Sequence, residues 1–280
     1  MRESAEQTGP AAVLVTGASS GIGRATATEM ARRGWHVLVG FRSGRDRAEA
    51  VACSLEREFG VRARPVAIAL DEPAAAVASL DAALALADAS TGPVRCLINN
   101  AGINDRTPAH QIEFDRAAQV FAVDALSPIA LASAFARRLV EQRLPGTIVN
   151  ITSVHETIPI TGGVLYCSAK AALGMATKVM ALEFAAYGIR VNAVAPGETA
   201  TPMNGMPEGA DVHAAHRPAI PLGRPGHPGE IAAVAAFLAG PDSSYLTGAS
   251  LTVDGGLVLT AAEENARAAT RSHTRKEPRP

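Results

Sequence analysis

Tyr166 and Lys170 stand four residues apart in the string Y-C-S-A-K. Positions i and i+4 share one face of a helix, so the ammonium of Lys170 lies one turn from the phenol of Tyr166. A cation there favours the phenolate and brings its proton exchange toward neutral pH, as oxidation of an alcohol or reduction of a carbonyl requires. Ser153 precedes Tyr166 by thirteen residues and follows an apolar run. That separation suffices to return from the end of a strand to the start of the next helix, where a hydroxyl can hold a substrate oxygen beside the phenol. A lone serine after a strand is equally a turn or cap residue, so Ser153 takes its meaning from the pair beside it.

A second signal is T-G-A-S-S-G-I-G, Thr16–Gly23. Gly17, Gly21 and Gly23 permit a tight strand-to-helix turn and close approach of a pyrophosphate to the N–H groups around Ser19, Ser20 and Ile22. The second apolar run ends in Phe41-Arg42-Ser43, with Arg45 and Arg47 beyond and no acid before Asp46. An enzyme choosing NAD usually places a carboxylate here for the ribose hydroxyls, whereas Arg42 and Ser43 suit a 2′-phosphate. The expectation is NADP (NADPH) in preference to NAD.

Seven short apolar runs must position these residues: Ala12–Thr16, His36–Gly40, Arg64–Ala69, Cys96–Asn100, Thr147–Ile151, Arg190–Val194 and Leu251–Val253. Nearly continuous apolarity predicts strands covered on both faces, and alternation with helical stretches predicts an α/β chain with a doubly wound parallel sheet. Gly34, Gly60 and Gly188 read as helix stops, and Pro228 opens a late helix. The stretch 197–227, rich in Pro and Gly, is too long for an ordinary connection and is expected to be a lid after the sixth strand. One domain over 11–260 is expected, between a flexible start, 1–10, and a flexible basic tail, 261–280.

The chain has 280 residues, 48% of them hydrophobic and 19% charged. This excludes a disordered body. Lys+Arg 26 against Asp+Glu 27 leaves a net charge of −1, which speaks against nucleic acid or an anionic membrane as partner. Three cysteines without CxxC or Cys/His ligand spacing predict free thiols in or near the core and no metal site, zinc included. The opening MRESAEQTGP lacks a secretory apolar stretch; a cytoplasmic location is expected.

With these motifs in order, the sequence resembles the short-chain dehydrogenase/reductase family from about Ala12 to Leu259. TGASSGIG resembles its cofactor turn, N-N-A-G (Asn99–Gly102) its motif after the fourth strand, and ITS…YCSAK its Ser-Tyr-Lys site. Pro196–Met203 resembles the segment that holds the nicotinamide end, and Leu251–Gly256 the closing strand and turn. The resemblance implies a single-domain, seven-stranded Rossmann fold with helices on both faces, and hydride transfer between nicotinamide and a carbonyl or alcohol carbon. Tyr166 would be the general acid/base, Ser153 the residue orienting the substrate, and Lys170 would also bind the ribose. Cofactor contacts would further come from Asn100, Ala101, Gly102, Pro196, Gly197, Thr199 and Thr201, and from Asp71 near the adenine. It also implies a homotetramer or homodimer built across helices near Ser127–Gln142 and Val164–Tyr187. The sequence departs from the family at Asp124, where a fourth catalytic residue is an asparagine; a carboxylate there puts a charge close to Lys170 and retunes proton relay.

Ser153-Val154-His155-Glu156 resembles the glucose 1-dehydrogenases and polyol-oxidising relatives, which would set His155 and Glu156 at the pocket mouth; equally, both can be solvated loop residues. The core motifs are shared with 3-oxoacyl-thioester reductases, so the substrate class stays open among sugars, polyols and 3-oxoacyl compounds. The alternative from another class is a catalytically weak regulator or structural subunit on the same fold. The intact Ser153, Tyr166 and Lys170 argue against it.

Overall fold

Seven strands pair in parallel in the order β3-β2-β1-β4-β5-β6-β7. They are β1 Ala12–Val15, β2 His36–Phe41, β3 Ala63–Ala67, β4 Val94–Asn99, β5 Gly146–Ile151, β6 Ile189–Pro196 and β7 Ser250–Val253. This is the doubly wound α/β sheet expected from the continuous apolar runs. The computed structural model describes residues 11–260; the ends 1–10 and 261–280, where flexible segments were expected, lie outside the described residues. The helices are α1 Gly21–Arg32, α2 Arg45–Phe59, α3 Pro73–Ser90, α4 Phe114–Phe121, α5 Ser127–Gln142, α6 Val164–Phe184 and α7 Pro228–Ala239.

Side-chain alternation along the strands divides the core in two. Leu14, Leu38, Leu97, Ile148 and Val191 face α3, α5 and α6 with Leu80, Leu84, Leu131 and Phe135. Val13, Val15, Val37, Val39, Ile98 and Val149 face α1, α2 and α7 with Met30, Leu55, Ile231 and Leu238. Each fully buried Leu or Phe contributes about 1.5–3 kcal/mol, so both layers lock to the sheet. By length and composition α3 and the continuous run Phe114–Gln142 would suffice to cross a bilayer, yet both put apolar side chains into the core.

Two features place the site. The chain winds from β1 outward to β3 and then crosses back to β4, so β1 and β4 lie side by side at the reversal, where a crevice opens at the strands' carboxyl ends. Beneath it, buried Asn99 donates to Asn150 Oδ1 at 2.9 Å, and Asn150 donates to Thr177 Oγ1 at 2.8 Å, which fixes β4, β5 and α6 against one another. Of the cysteines, Cys96 is buried, and burial pushes its thiol up to about 12. Cys53 corrects the expectation of thiols in or near the core: it is exposed, on the outer side of α2.

Candidate active site

The crevice is a cavity of about 700 Å³ running from the start of α1 to the start of α6. At the α1 end, Gly17 and Gly21 adopt left-handed φ of 65° and 53°, where glycine carries no Cβ penalty. A Cβ on Gly17 would also stand 3.0 Å from Ala101 Cα. The turn is tied to the end of the neighbouring strand β4: the N–H groups of Asn100 and Ala101 donate to Thr16 Oγ1 at 2.9 and 3.1 Å, and Asn100 Nδ2 donates to the Thr16 carbonyl at 2.9 Å. Thr16 was not singled out from sequence, since a buried threonine at a strand end carries no pattern of its own.

Gly17, Ser19, Ser20, Gly21, Ile22, Arg42, Ser43, Asn100, Ala101 and Gly102 all line the cavity, as do Pro196, Gly197, Thr199 and Thr201. Arg47 joins Arg42 and Ser43 there. Two expected cofactor contacts fall elsewhere. Gly23 does not line the cavity; a Cβ on it would meet the Gly17 carbonyl oxygen at 2.2 Å and Asn100 Nδ2 at 2.4 Å, so its absence lets α1 seat on the turn. Asp71 is exposed and does not line the cavity, where Leu70 takes the buried position. Its carboxylate instead pairs with Arg42 Nε at 3.0 Å.

The N-terminus of α1 already receives an anion. Glu208, carried by the segment 197–227, accepts from the Gly21 N–H at 3.2–3.3 Å and stands 3.7 Å from Arg24. Unsatisfied N–H groups and the helix dipole account for the attraction.

At the other end, Ser153, Tyr166 and Lys170 line one wall. Ser153 Oγ accepts from the His155 N–H at 3.2 Å, so it is both a cap of the short turn Val154–Glu156 and a cavity hydroxyl. Lys170 Nζ lies 5.7 Å from the centre of the Tyr166 ring and donates to the Ile151 carbonyl at 3.4 Å. Burial works against the ammonium, but the Asp124 carboxylate and, after it, Tyr166 outweigh burial and hold the lysine above its ordinary value.

Asp124 sits in a π-helical turn, Ala122–Leu126, between α4 and α5. Its Oδ1 is 3.4 Å from Lys170 Nζ and accepts from the Ile103 N–H at 3.0 Å; Oδ2 is buried without a partner. Burial raises its carboxyl above the usual carboxylate range, against the pull of Lys170 and the Ile103 N–H. Gly102 makes the pairing possible, since a Cβ there would meet Asp124 Oδ1 at 2.5 Å.

His155 lines the cavity and meets Tyr166 edge-on, ring centres 6.2 Å apart. Glu156 does not line it, which corrects the expectation of a substrate contact. Three residues per turn in a 3₁₀ helix swing neighbours about 120° apart, and Glu156 accordingly points the other way, accepting from Ser250 Oγ at 2.6 Å beside Gly174. Arg106 also faces the cavity, its guanidinium carbon 5.7 Å from the Tyr166 ring centre; nothing in its sequence surroundings marked it.

Residues 17–258 match a family model described as enoyl-(acyl carrier protein) reductase. A 3beta-hydroxysteroid dehydrogenase of Eggerthella lenta is 37% identical over 88% of this chain and 93% of its own. A glucose 1-dehydrogenase of Gluconobacter oxydans is 37% identical over 90% and 94%. The crystal structure of an acetoin dehydrogenase from Salmonella typhimurium is similar at a TM-score of 0.83 and 37% identity, covering 90% of this chain and 97% of that one. With its motifs in order on this sheet, the chain belongs to the short-chain dehydrogenase/reductase family and is an NAD(P)-dependent oxidoreductase acting on CH–OH groups.

Proposed function

We propose that this enzyme prefers NADP(H) and interconverts a secondary alcohol and its carbonyl on a small substrate of sugar, polyol or 3-oxoacyl type. The observation that carries the reading is the convergence of Ser153, Tyr166 and Lys170 on one wall of a cavity whose far end is an anion-accepting helix start. The residues fit a dinucleotide: the Gly21 N–H at the start of α1 donates to a carboxylate, and Gly17 leaves a gap that a Cβ would close. Gly17, Ser19, Ser20, Gly21 and Ile22 would hold the pyrophosphate, Asn100, Ala101 and Gly102 the middle of the molecule, and Pro196, Gly197, Thr199 and Thr201 the nicotinamide end. Arg42, Ser43 and Arg47 around the opposite end support the NADP preference; Asp71 stands at that edge paired with Arg42 at 3.0 Å, and a 2′-phosphate would take its place on the guanidinium.

The bound nicotinamide supplies the hydride acceptor in alcohol oxidation and the donor in carbonyl reduction. Ser153 holds the substrate oxygen, and Tyr166 takes the hydroxyl proton during oxidation or gives it during reduction. The Lys170 ammonium stabilises the phenolate, and Asp124 faces that ammonium at 3.4 Å. The segment 197–227 acts as a lid over a single domain, 11–260. Exposed Met175, Val179 and Leu182 on one side of α6 support a homodimer or homotetramer built across α5 and α6. Composition supports a cytoplasmic location.

Nicotinamide absorbance change with NADP(H) and with NAD(H), over sugars, polyols, ketones and 3-oxoacyl thioesters beside Tyr166→Phe, tests the reading. Turnover should favour NADP(H) and vanish in the variant. A variant as active as the wild type would remove Tyr166 from the chemistry, and equal affinity for both cofactors would remove the NADP preference.

A further inference from the structure

We propose that Arg106 recognises a carboxylate on the substrate, so that the alcohol oxidised is a hydroxy acid and the carbonyl reduced an oxo acid. The inference rests on Tyr166 as the group that exchanges the proton, since Arg106 is placed by its position relative to that ring.

The main chain on either side of Arg106 is clamped. Buried Asp105 accepts from the Thr107 N–H at 3.1 Å and from Thr107 Oγ1 at 3.2 Å, and it pairs with Arg116 Nε at 2.8 Å. Arg116 also donates to the Asn104 carbonyl at 3.0 Å. On the opposite side a Cβ at Gly162 would come within 2.7 Å of the Arg106 carbonyl oxygen, so the loop lies directly against that glycine. The guanidinium therefore leaves a fixed backbone and faces the cavity mouth.

Every carboxylate around it is committed elsewhere. Asp105 holds Arg116, Glu198 on the cavity wall holds Arg217, and Asp124 holds Lys170. The His155 ring nitrogen Nδ1 is occupied at 2.9 Å by the Ile158 carbonyl. Among the described residues no acid lies within ion-pair distance of Arg106, whose hydrogen bond to protein is a 3.5 Å contact with the Asp105 carbonyl. Contact with the Tyr166 ring face satisfies none of its five N–H donors in the plane of the fork.

Arg106 is exposed, and one guanidinium without an ion-pair partner among the described residues suits a monoanion with two coplanar oxygens; a carboxylate presents that geometry to a bidentate fork. A phosphoryl dianion would ask for a second cation, and Lys170 is already neutralised by Asp124. Ile103, Ile160, Met203 and Leu257 also line the cavity, among polar Asn104, Thr152, Glu198 and Asn204; the apolar side chains fit a short carbon chain between the carbinol and the carboxylate.

The test compares kcat/KM for oxidation of 3-hydroxybutyrate and 4-hydroxypentanoate with that of their methyl esters, in the wild type, Arg106→Met and Arg106→Lys. The wild type should prefer each acid over its ester by about tenfold or more. Arg106→Met should erase that preference through KM for the acids, leaving the esters within about twofold, and Arg106→Lys should restore part of it. Equal use of acids and esters by the wild type overturns the proposal while leaving the dehydrogenase reading intact. So does a drop in kcat for acids and esters alike in Arg106→Met, which would assign Arg106 to the phenol rather than the substrate. Failure of the wild type on these substrates and on every alcohol and carbonyl of the wider panel overturns both.

Discussion

At the α1 end of the cavity the ligand space is faced by main-chain N–H groups and by glycines whose missing side chains make room. At the α6 end it is faced by side chains from four separate segments: Arg106 after β4, Ser153 and His155 after β5, Tyr166 and Lys170 on α6, and Met203 from the segment 197–227. The first kind of site depends on backbone shape and carries little information about its ligand beyond charge and width. The second depends on which residues stand at a few positions, and it is where relatives of one fold diverge in substrate while keeping a shared cofactor end.

The comparison can be broken most sharply on the backbone side. Gly23→Ala places a methyl 2.2 Å from the Gly17 carbonyl oxygen and must displace α1 from the turn. Cofactor affinity should fall by about a hundredfold, read by calorimetric titration, with a stability loss of about 1–3 kcal/mol. Affinity within a few-fold of the wild type would show that the turn tolerates the shift.

On the side-chain side, Asp124→Asn should keep or raise turnover at neutral pH. The wild-type carboxylate is buried, carries an unpartnered oxygen and neutralises the Lys170 ammonium; the neutral amide leaves that positive field for the phenolate. An inactive, well-folded Asp124→Asn would show that the carboxylate has a role of its own.

Glu208 links the two ends, because a residue of the segment 197–227 occupies the helix start that would receive the pyrophosphate. Glu208→Gln removes the competing charge, and cofactor should bind about two- to fivefold tighter, with kcat within about twofold. Unchanged affinity would mean that the cofactor's phosphates do not use the Gly21 N–H.

The smallest effect is at the base of the same segment, where Arg224 pairs with Glu230 at 2.8 Å and Glu230 accepts from the His227 N–H at 2.7 Å. Arg224, above all, pulls the Glu230 carboxyl down to about 2 from 4.5. A depressed carboxyl contributes stability that is complete above its unfolded value and lost as pH falls through the folded one. Glu230→Gln should cost about 1 kcal/mol at pH 7, as expected for a half-exposed ion pair that also caps a helix. That gap should close between about pH 4.5 and 2, followed by thermal melts.

The sheet and the cofactor end were legible because their signals are periodic or geometric. Short continuous apolar runs alternating with helical stretches and bounded by turn residues fit covered strands, and glycine spacing after the first of them marks a tight turn. Tyr166 and Lys170 were legible for a similar reason, since helix geometry fixes what four residues of separation means. Glu156 was misplaced because adjacent residues on a tight turn diverge, and no periodicity distinguishes the one facing the cavity. Arg106 and Glu208 lie in loops that fold back through long-range contacts with Gly162 and Gly21. Nothing local in sequence announces such contacts.

The division of labour between the two ends is tested most directly by measuring cofactor affinity and turnover together in Tyr166→Phe. Calorimetry should give a cofactor Kd within about threefold of the wild type, while kcat falls by about a thousandfold. Loss of affinity in step with turnover would contradict the separation of a backbone-built binding end from a side-chain-built reacting end, and undiminished turnover would remove Tyr166 from the reaction altogether.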